Sequence, residues 1–376
     1  MFFGSSLLAR YITPVMIDMS YRIGFLDYPE GRKSHQHPMP TSGGLAIFAS
    51  FWITIFAGIA AGLLIKRGIY EVETLYALIL GIKPLIPSVL GIFAGSFVIL
   101  AVGAIDDRYD LPPQIKFAGQ CAAALILMMT GLTINLVSVL GPSGYVITFI
   151  WILLIINAFN FIDSVDGHCA GIALISSTMF FFVVQIIQQP VVGFFVIVFA
   201  GALYGFLPFN FKPARIFLGD NGSLFIGYMM AALTLLCTYQ TTPSSPVSMF
   251  IPILMFGVPI YDTLSVIIVR TTRGIPPWKG DRNHFAHRLS RLGMSEKVAV
   301  FFSYFVAGTL GLIALLLTQI HTVMGTSIVA LLFFSIIGIV AALEYYAAVR
   351  IRTIQELKSQ HRRRKEDIQN EEEDRF

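Results

Sequence analysis

The sequence predicts an all-α, polytopic integral membrane protein, judged from its composition, its long apolar runs and the placement of its basic residues. Of its 376 residues, 56% are hydrophobic and only 13% are charged, whereas a soluble domain carries roughly a quarter charged residues. The apolar runs are continuous rather than alternating, which favours transmembrane helices over a β-barrel. The three cysteines lie in or beside these runs and indicate neither a disulfide framework nor a zinc site.

We predict about eleven transmembrane helices, because a helix needs about 20 apolar residues to cross a bilayer and must satisfy its backbone hydrogen bonds internally. No repeat or linker divides the chain, so we treat 1–348 as one transmembrane domain and 349–376 as a charged cytoplasmic tail. The rough limits of the predicted helices are 2–20, 44–65, 85–105, 117–134, 144–160, 169–188, 191–208, 222–240, 247–269, 297–319 and 324–348.

The basic residues fix the orientation, because cytoplasmic loops are enriched in Lys and Arg. If the N-terminus lies outside, 22 of the 26 basic residues fall on the cytoplasmic side, including those of the loop 270–297 and of the tail. We therefore expect an external N-terminus, a cytoplasmic C-terminus and residence in the inner (cytoplasmic) membrane.

Carboxylates are costly near a bilayer core, so their placement indicates function. Six of them fall at the predicted cytoplasmic ends of helices from different parts of the chain. A transporter relay would scatter them towards the midplane, whereas a cluster at one face suits a hard divalent cation with oxygen ligands. The six are Asp106, Asp107, Asp110, Asp163, Asp166 and Asp220.

The first acidic segment contains the adjacent pair Asp106 and Asp107. Neighbouring residues cannot share one helix face. We expect one carboxylate to meet the active centre while the other caps a helix or forms an ion pair. The alternative is a solvated loop with Arg108 as the counter-ion.

The second segment places polar side chains three residues apart at Asn157, Asn160, Asp163 and Asp166. On a helix this spacing forms a polar stripe. The alternative is a buried network that satisfies itself. Four such groups at the end of an apolar helix favour a functional site.

The third segment has a single carboxylate, Asp220, between Gly219 and Gly222 at the start of an apolar helix. Glycines allow a ligand to approach the backbone closely, and a helix N-terminus favours phosphate. The alternative is an ordinary helix start that Asp220 or Ser223 caps.

The fourth segment is the basic loop 270–297, in which Asp281 is a predicted N-cap. On the helix that would follow, His284, His287 and Arg288 share one face. Arg and His donate charge-assisted hydrogen bonds to anionic oxygens, so we favour a phosphate site. The alternatives are a transition-metal site on the two histidines and an ordinary basic cytoplasmic loop.

Taken in this order, the four segments resemble the polyprenyl-phosphate N-acetylhexosamine-1-phosphate transferases of glycosyltransferase family 4, relatives of the phospho-N-acetylmuramoyl-pentapeptide transferase. The opening loop around 32–44 resembles the family's first cytoplasmic loop, and the resemblance runs from about Gly24 to Leu292. It implies a helical membrane enzyme with about ten or eleven spans, often dimeric, that uses Mg²⁺ or Mn²⁺ and releases UMP.

The resemblance also implies roles for individual residues. Asp106, Asp107 and Asp163 would be catalytic, Asp220 with Asn160 would bind the metal, and Lys116, Asp166, His284 and His287 would bind substrate. The residue pattern adds Asn157, Arg282 and Arg288 to the substrate-binding set. Ala286 departs from the family's His-x-His-His motif, which puts a strict three-histidine mechanism in doubt.

We expect the protein to move a sugar-1-phosphate, with GlcNAc-1-phosphate favoured, from a UDP-sugar to undecaprenyl phosphate and so to start a cell-envelope polysaccharide such as lipopolysaccharide. The expected partners are these two substrates, membrane lipid and a second copy in a homodimer, with no nucleic acid. Within the same reaction, the alternatives are UDP-MurNAc-pentapeptide or another UDP-N-acetyl sugar as donor, and a phospho-aspartate intermediate. A transporter and an inactive scaffold are the alternatives of another class.

Overall fold

The computed structural model of this chain is an all-α membrane protein with one short two-stranded ribbon. The structure describes residues 1–29, 37–64, 81–134, 141–237, 250–272, 274–276 and 284–320, with positions 325, 327–328, 330–342 and 345. Arg282 and the predicted tail 349–376 therefore lie outside the described residues. The helices are α1 Phe2–Ile23, α2 Gly43–Leu64, α3 Ile86–Tyr109, α4 Pro113–Met129, α5 Pro142–Ile162, α6 His168–Ile186, α7 Pro190–Asn210, α8 Gly219–Leu236, α9 Phe250–Met255, α10 Gly257–Thr272, α11 Phe285–Arg291, α12 Glu296–Leu317 and α13 Ala330–Ala342.

Six helices of the described part are long and apolar enough to cross a membrane by themselves. They are α2, α3, α5, α6, α7 and α12, with α3 extended at its start by a 3₁₀ turn from Lys83 to Leu85. The count of eleven stays a prediction.

The predicted segment 247–269 is divided into α9 and α10. Pro259 explains the division, because proline has no N–H to bond the carbonyl four residues earlier. That carbonyl belongs to Met255, and it accepts instead a hydrogen bond of 2.9 Å from Ser176 Oγ of α6. A neighbouring helix therefore satisfies the group that the interruption leaves unbonded.

Helix α8 lies at the centre of the bundle, with nearly every side chain from Asn221 to Leu236 buried. It packs mainly against α3 and α5, and also against α2. Its first turn is therefore surrounded by the ends of other helices, and this places the polar residues of those ends close together.

The N-terminal segments are tied to the same end of the bundle. Gly24, the C-cap of α1, has a left-handed conformation. Arg108 of α3 donates hydrogen bonds to the carbonyls of Ile23 at 2.9 Å and Gly24 at 2.6 Å. Strands β1 (Leu26–Asp27) and β2 (Met39–Pro40) then pair antiparallel.

The predicted polar stripe is helical only in part. Helix α5 ends at Ile162, Asp163 is its C-cap, and Gly167 has a left-handed conformation before α6 begins. The expectation that one helix carries the stripe as far as Asp166 is therefore wrong. The turn is fixed by a remote contact, since Tyr304 Oη of α12 donates to the Gly167 carbonyl at 2.5 Å.

The predicted helix of the fourth segment begins later than expected. Helix α11 starts at Phe285, and His284 is its N-cap with an extended backbone. The expectation that His284 shares a helix face with His287 and Arg288 is therefore wrong, although all three lie at the start of the same short helix. Asp281, the predicted N-cap, lies outside the described residues.

Candidate active site

Three helices bring two carboxylates and one ammonium group together at the end of the bundle. Lys116 Nζ, in the first turn of α4, donates to Asp106 Oδ2 of α3 at 2.9 Å and to Asp220 Oδ2 of α8. The second oxygen of Asp106 accepts from the Leu111 backbone N–H at 2.8 Å. One cation therefore lies between two carboxylates that are about 110 residues apart in sequence.

A fourth helix completes the contacts of Asp220. Asn160 Nδ2, in the last turn of α5, donates to Asp220 Oδ1 and, at 2.9 Å, to Ser223 Oγ. Both oxygens of Asp220 are thus engaged, one by an amide and one by an ammonium. This arrangement makes Asp220 the centre of the cluster.

Asp107 points in a different direction from Asp106, as expected for adjacent residues. Its carboxylate accepts from the backbone N–H of Asp220 at 2.8 Å and of Asn221 at 3.0 Å. It therefore caps the N-terminus of α8 from another helix, a position where negative charge is favoured. Neither of the candidate caps in the sequence, Asp220 and Ser223, has this role.

Two glycines allow this close contact. A Cβ on Gly103 would lie 2.5 Å from the backbone nitrogen of Asn221, so α3 approaches α8 at a distance that only glycine permits. Gly219 starts α8 with a φ of 73°, in the region where side chains are strained.

The electrostatics of the cluster favour retained positive charge on Lys116. Burial alone would lower the pKa of Lys116, but the carboxylates of Asp220 and Asp106 outweigh it and hold the pKa above its usual value. Burial raises the pKa of Asp163 well above its usual value, and the negative charges of Asp220, Asp107 and Asp166 raise it further. Asp163 therefore lies within the electrostatic reach of the cluster without being bonded into it.

Asn157 lies one helical turn before Asn160, and its amide is paired with Gln120 of α4. Asn157 Nδ2 donates to Gln120 Oε1 at 2.7 Å, and Gln120 Nε2 donates back at 3.3 Å. This reciprocal pair joins α5 to α4 next to the cluster. Gln120 was not singled out in the sequence, because one polar residue in an apolar helix gives no pattern.

A second polar group is built by α10 and α11. Asp262 Oδ2 lies 2.9 Å from His284 Nδ1 and Asp262 Oδ1 lies 3.7 Å from Arg288 Nη2, which donates to Ser265 Oγ at 2.7 Å. The His284 ring lies 5.9 Å from that of Phe161, the residue after Asn160. His284 therefore stands beside the end of α5 that carries the cluster.

Asp262 is the functional candidate that the sequence analysis missed. It has no exposed surface, and it lies inside the predicted span 247–269. The signal available in the sequence was the acidic residue itself. A carboxylate within an apolar segment is costly to bury and therefore marks a candidate site.

The oxygen atoms of the cluster fit a hard divalent cation. Among the described residues, no three His, Cys, Asp or Glu side chains are grouped so as to hold a metal ion. Mg²⁺ does not require such a group, because it is commonly held by one or two carboxylates while water and substrate phosphates fill its remaining positions. Asp220, Asp106 and the amide of Asn160 provide oxygens of that kind, around a point where a positive charge already lies.

Comparison with known proteins identifies the family. The sequence profile of "Glycosyl transferase family 4" matches residues 89–238. A Bacillus subtilis (strain 168) protein named "Probable undecaprenyl-phosphate N-acetylglucosaminyl 1-phosphate transferase" is 35% identical over 325 residues, which cover 84% of each chain. The chain belongs to glycosyl transferase family 4.

Two other proteins are also similar to this chain along most of their length. A Mycolicibacterium smegmatis protein named "Decaprenyl-phosphate N-acetylglucosaminephosphotransferase" is 31% identical, covering 81% of this chain and 78% of its own. An Escherichia coli (strain K12) protein named "Undecaprenyl-phosphate alpha-N-acetylglucosaminyl 1-phosphate transferase" is 26% identical, covering 80% and 79%. The residues that match the family profile include the whole cluster around Asp220, whereas Asp262 and His284 follow the matched range.

Proposed function

We propose that this protein transfers GlcNAc-1-phosphate from UDP-GlcNAc to a polyprenyl phosphate, releasing UMP. The names of the relatives support the transferred group, GlcNAc-1-phosphate, and the polyprenyl phosphate acceptor. The UDP-linked donor comes from the family resemblance of the sequence. The convergence of Asp106, Lys116, Asn160 and Asp220 from four helices is the observation that carries the assignment of the site. Undecaprenyl phosphate is the proposed acceptor, and the product starts a cell-envelope polysaccharide.

The proposal includes a topology. Eleven transmembrane helices with an external N-terminus and a cytoplasmic C-terminus would place the cluster at the cytoplasmic face of the inner membrane. The placement of 22 of the 26 basic residues on one side supports this orientation. A homodimer is part of the proposal through the family resemblance alone.

In the proposed reaction, an oxygen of the lipid phosphate attacks the phosphorus that bears the sugar. The bond between that phosphorus and the oxygen shared with UMP breaks, and UMP leaves with the bonding electron pair. Asp106 orients the lipid phosphate. A phosphate monoester has a second pKa near 6, so proton removal at neutral pH requires little help from a base. Phosphoryl transfer depends mainly on positioning and charge stabilisation.

The residues of the cluster fit Mg²⁺, or Mn²⁺ in its place, with Asp220 and Asn160 as the holding residues. When bound, the metal neutralises charge on the diphosphate and polarises its oxygens. Lys116 places a positive charge beside the same diphosphate oxygens. Asp163, Asp166 and Asn157 shape the wall of the donor site along the end of α5.

The α10–α11 group supplies positive charge to the phosphate of the leaving UMP. His284 and Arg288 lie together at the start of α11, with His287 on its first turn. Arg282 belongs to the same proposed group. These side chains donate hydrogen bonds to anionic oxygens as charge builds on the leaving UMP.

The test is UMP release by purified full-length protein supplied with undecaprenyl phosphate, UDP-GlcNAc and Mg²⁺, with Asp220→Ala alongside. Release that requires lipid and metal and disappears in the variant would support the proposal. Activity with another UDP-sugar instead would keep the reaction and change the donor. No release from folded protein with any UDP-sugar would overturn the proposal and leave a transporter or scaffold.

A further inference from the structure

Asp262 is a fully buried carboxylate in an apolar helix, and each of its two oxygens has a hydrogen-bond partner. Asp262 Oδ2 lies 2.9 Å from His284 Nδ1, and Asp262 Oδ1 accepts from the Phe285 backbone N–H at 2.5 Å. A buried carboxylate is costly unless such partners compensate it. Both partners lie at the start of α11, so the contacts that compensate the buried charge also hold that helix start in place.

The backbone contact fixes where α11 begins. His284 is the N-cap residue of α11, but its own side chain does not cap the helix. Asp262 caps it from α10 through the Phe285 N–H, and the neighbouring Ser265 accepts from Arg288 at 2.7 Å. Two residues of one turn of α10 therefore hold both the backbone and a side chain of α11.

The side-chain contact fixes the protonation pattern of His284. An ionised carboxylate only accepts hydrogen bonds, so His284 Nδ1 must carry the proton. Nε2 is then the nitrogen left to face a ligand. To donate a hydrogen bond to an anion, Nε2 must carry a proton as well.

We propose that Asp262 is a positioning residue for the transfer reaction: it holds the ring of His284 with Nδ1 protonated, so that Nε2 takes up a second proton when the anionic oxygens of a nucleoside diphosphate substrate bind, and donates a hydrogen bond to them. This inference rests on the proposed function for the identity of the substrate. The competing explanation is that Asp262 only caps α11.

The variant that separates these explanations is Asp262→Asn in the full-length protein. The amide oxygen of Asn can still accept from the Phe285 N–H, so the cap is kept. The amide NH₂ then faces His284 Nδ1 and forces the proton onto Nε2. Thr263→Val is the matched control, because Thr263 is equally buried and bonds only to the Pro259 carbonyl of its own helix among the contacts described.

The first readout is kinetic. We expect Asp262→Asn to lower kcat for UMP release by about 10- to 100-fold, the range usual for residues that orient a functional side chain, with an unchanged melting temperature. Thr263→Val keeps the wild-type kcat. Combining Asp262→Asn with His284→Ala lowers kcat no further than His284→Ala alone. Losses that multiply in the double variant would overturn the proposal.

The second readout does not depend on activity. NMR of protein labelled with ¹⁵N in the histidine rings reports which nitrogen carries the proton, and the His284 signal is assigned by its loss in His284→Ala. We expect an Nδ1-protonated ring in the wild type and an Nε2-protonated ring in Asp262→Asn. A His284 ring protonated only at Nε2 in the wild type would refute the proposal even if the variant failed to fold. If the wild type releases no UMP, the proposed function fails, while this measurement still decides the role of Asp262.

Discussion

The two polar groups at this end of the bundle have opposite charge arrangements. Around Lys116, carboxylates outnumber cations, since Asp106 and Asp220 share the one ammonium group. Around Asp262, one carboxylate is surrounded by His284 and Arg288. The first group is therefore suited to a cation and the second to an anion. Under the proposed function, the substrate is a diphosphate bound with a divalent cation, and the two groups at the end of α5 would serve its two parts.

The comparison predicts that the carboxylate cluster is the more sensitive of the two. Asp220→Ala removes the carboxylate at its centre, and we expect UMP release to fall by at least about a thousandfold, because metal-ion charge stabilisation is worth several kcal/mol. Asp110→Asn is the control, since Asp110 is exposed and has a left-handed conformation that Asn tolerates. A loss below about tenfold in Asp220→Ala would contradict the cation-site assignment.

His284→Ala tests the second group. We expect kcat to fall by about 10- to 100-fold, because one of several hydrogen-bond donors to the diphosphate is lost while the others remain. Ser290→Ala, which removes only a hydroxyl bonded to the Ala286 carbonyl of the same helix, should match the wild type. If His284→Ala were as damaging as Asp220→Ala, the proposed ranking of the two groups would be wrong.

Asp107→Ala tests whether Asp107 stabilises the fold or takes part in the proposed reaction. Loss of the cap on α8 should lower the free energy of unfolding by about 1–2 kcal/mol, seen as a lower melting temperature in detergent. Activity at low temperature should fall less than in Asp220→Ala. A variant with wild-type stability and no activity would instead place Asp107 in the chemistry.

Asp163→Asn has the smallest expected effect. It should raise the stability of the folded protein, whereas Asp107→Ala should lower it. The raised pKa means that the folded protein holds this proton more tightly than the unfolded chain does. Stability is therefore lost as pH rises from the usual Asp value through the folded pKa. The neutral amide removes that loss, so the melting temperature at pH 7 should rise relative to the wild type. A gain in stability with a loss of UMP release would mark Asp163 as retained for function.

The carboxylate cluster could largely be predicted because its residues stand at helix ends, where the sequence shows them against an apolar background. The different directions of Asp106 and Asp107 followed from their adjacency alone. That one of the two would cap a helix or form an ion pair was expected, but not that Asp107 would cap α8, because this depends on how closely α3 and α8 pack. The end of α5 was also hidden, since the turn at Gly167 is held by Tyr304, more than a hundred residues later.

The second group was harder to predict for a physical reason. Asp262 is one acidic residue in an apolar run, and the mean hydropathy of that run remains high in spite of it. The division of that run into α9 and α10 depends on Pro259 and on Ser176 of another helix. Contacts between segments distant in sequence leave no local pattern, so the sequence pointed to His284 but not to Asp262, the carboxylate that contacts it.

The close approach of α3 to α8 makes the geometry of the carboxylate cluster depend on Gly103, a residue that carries no charge. A methyl group at Gly103 would lie 2.5 Å from the Cα and backbone nitrogen of Asn221, and the start of α8 would have to move outward. Asp220 would move with it, away from Lys116. The site therefore depends in part on a residue with no side chain. Gly103→Ala would move Asp220 away from Lys116 while leaving every charged residue of the site in the sequence.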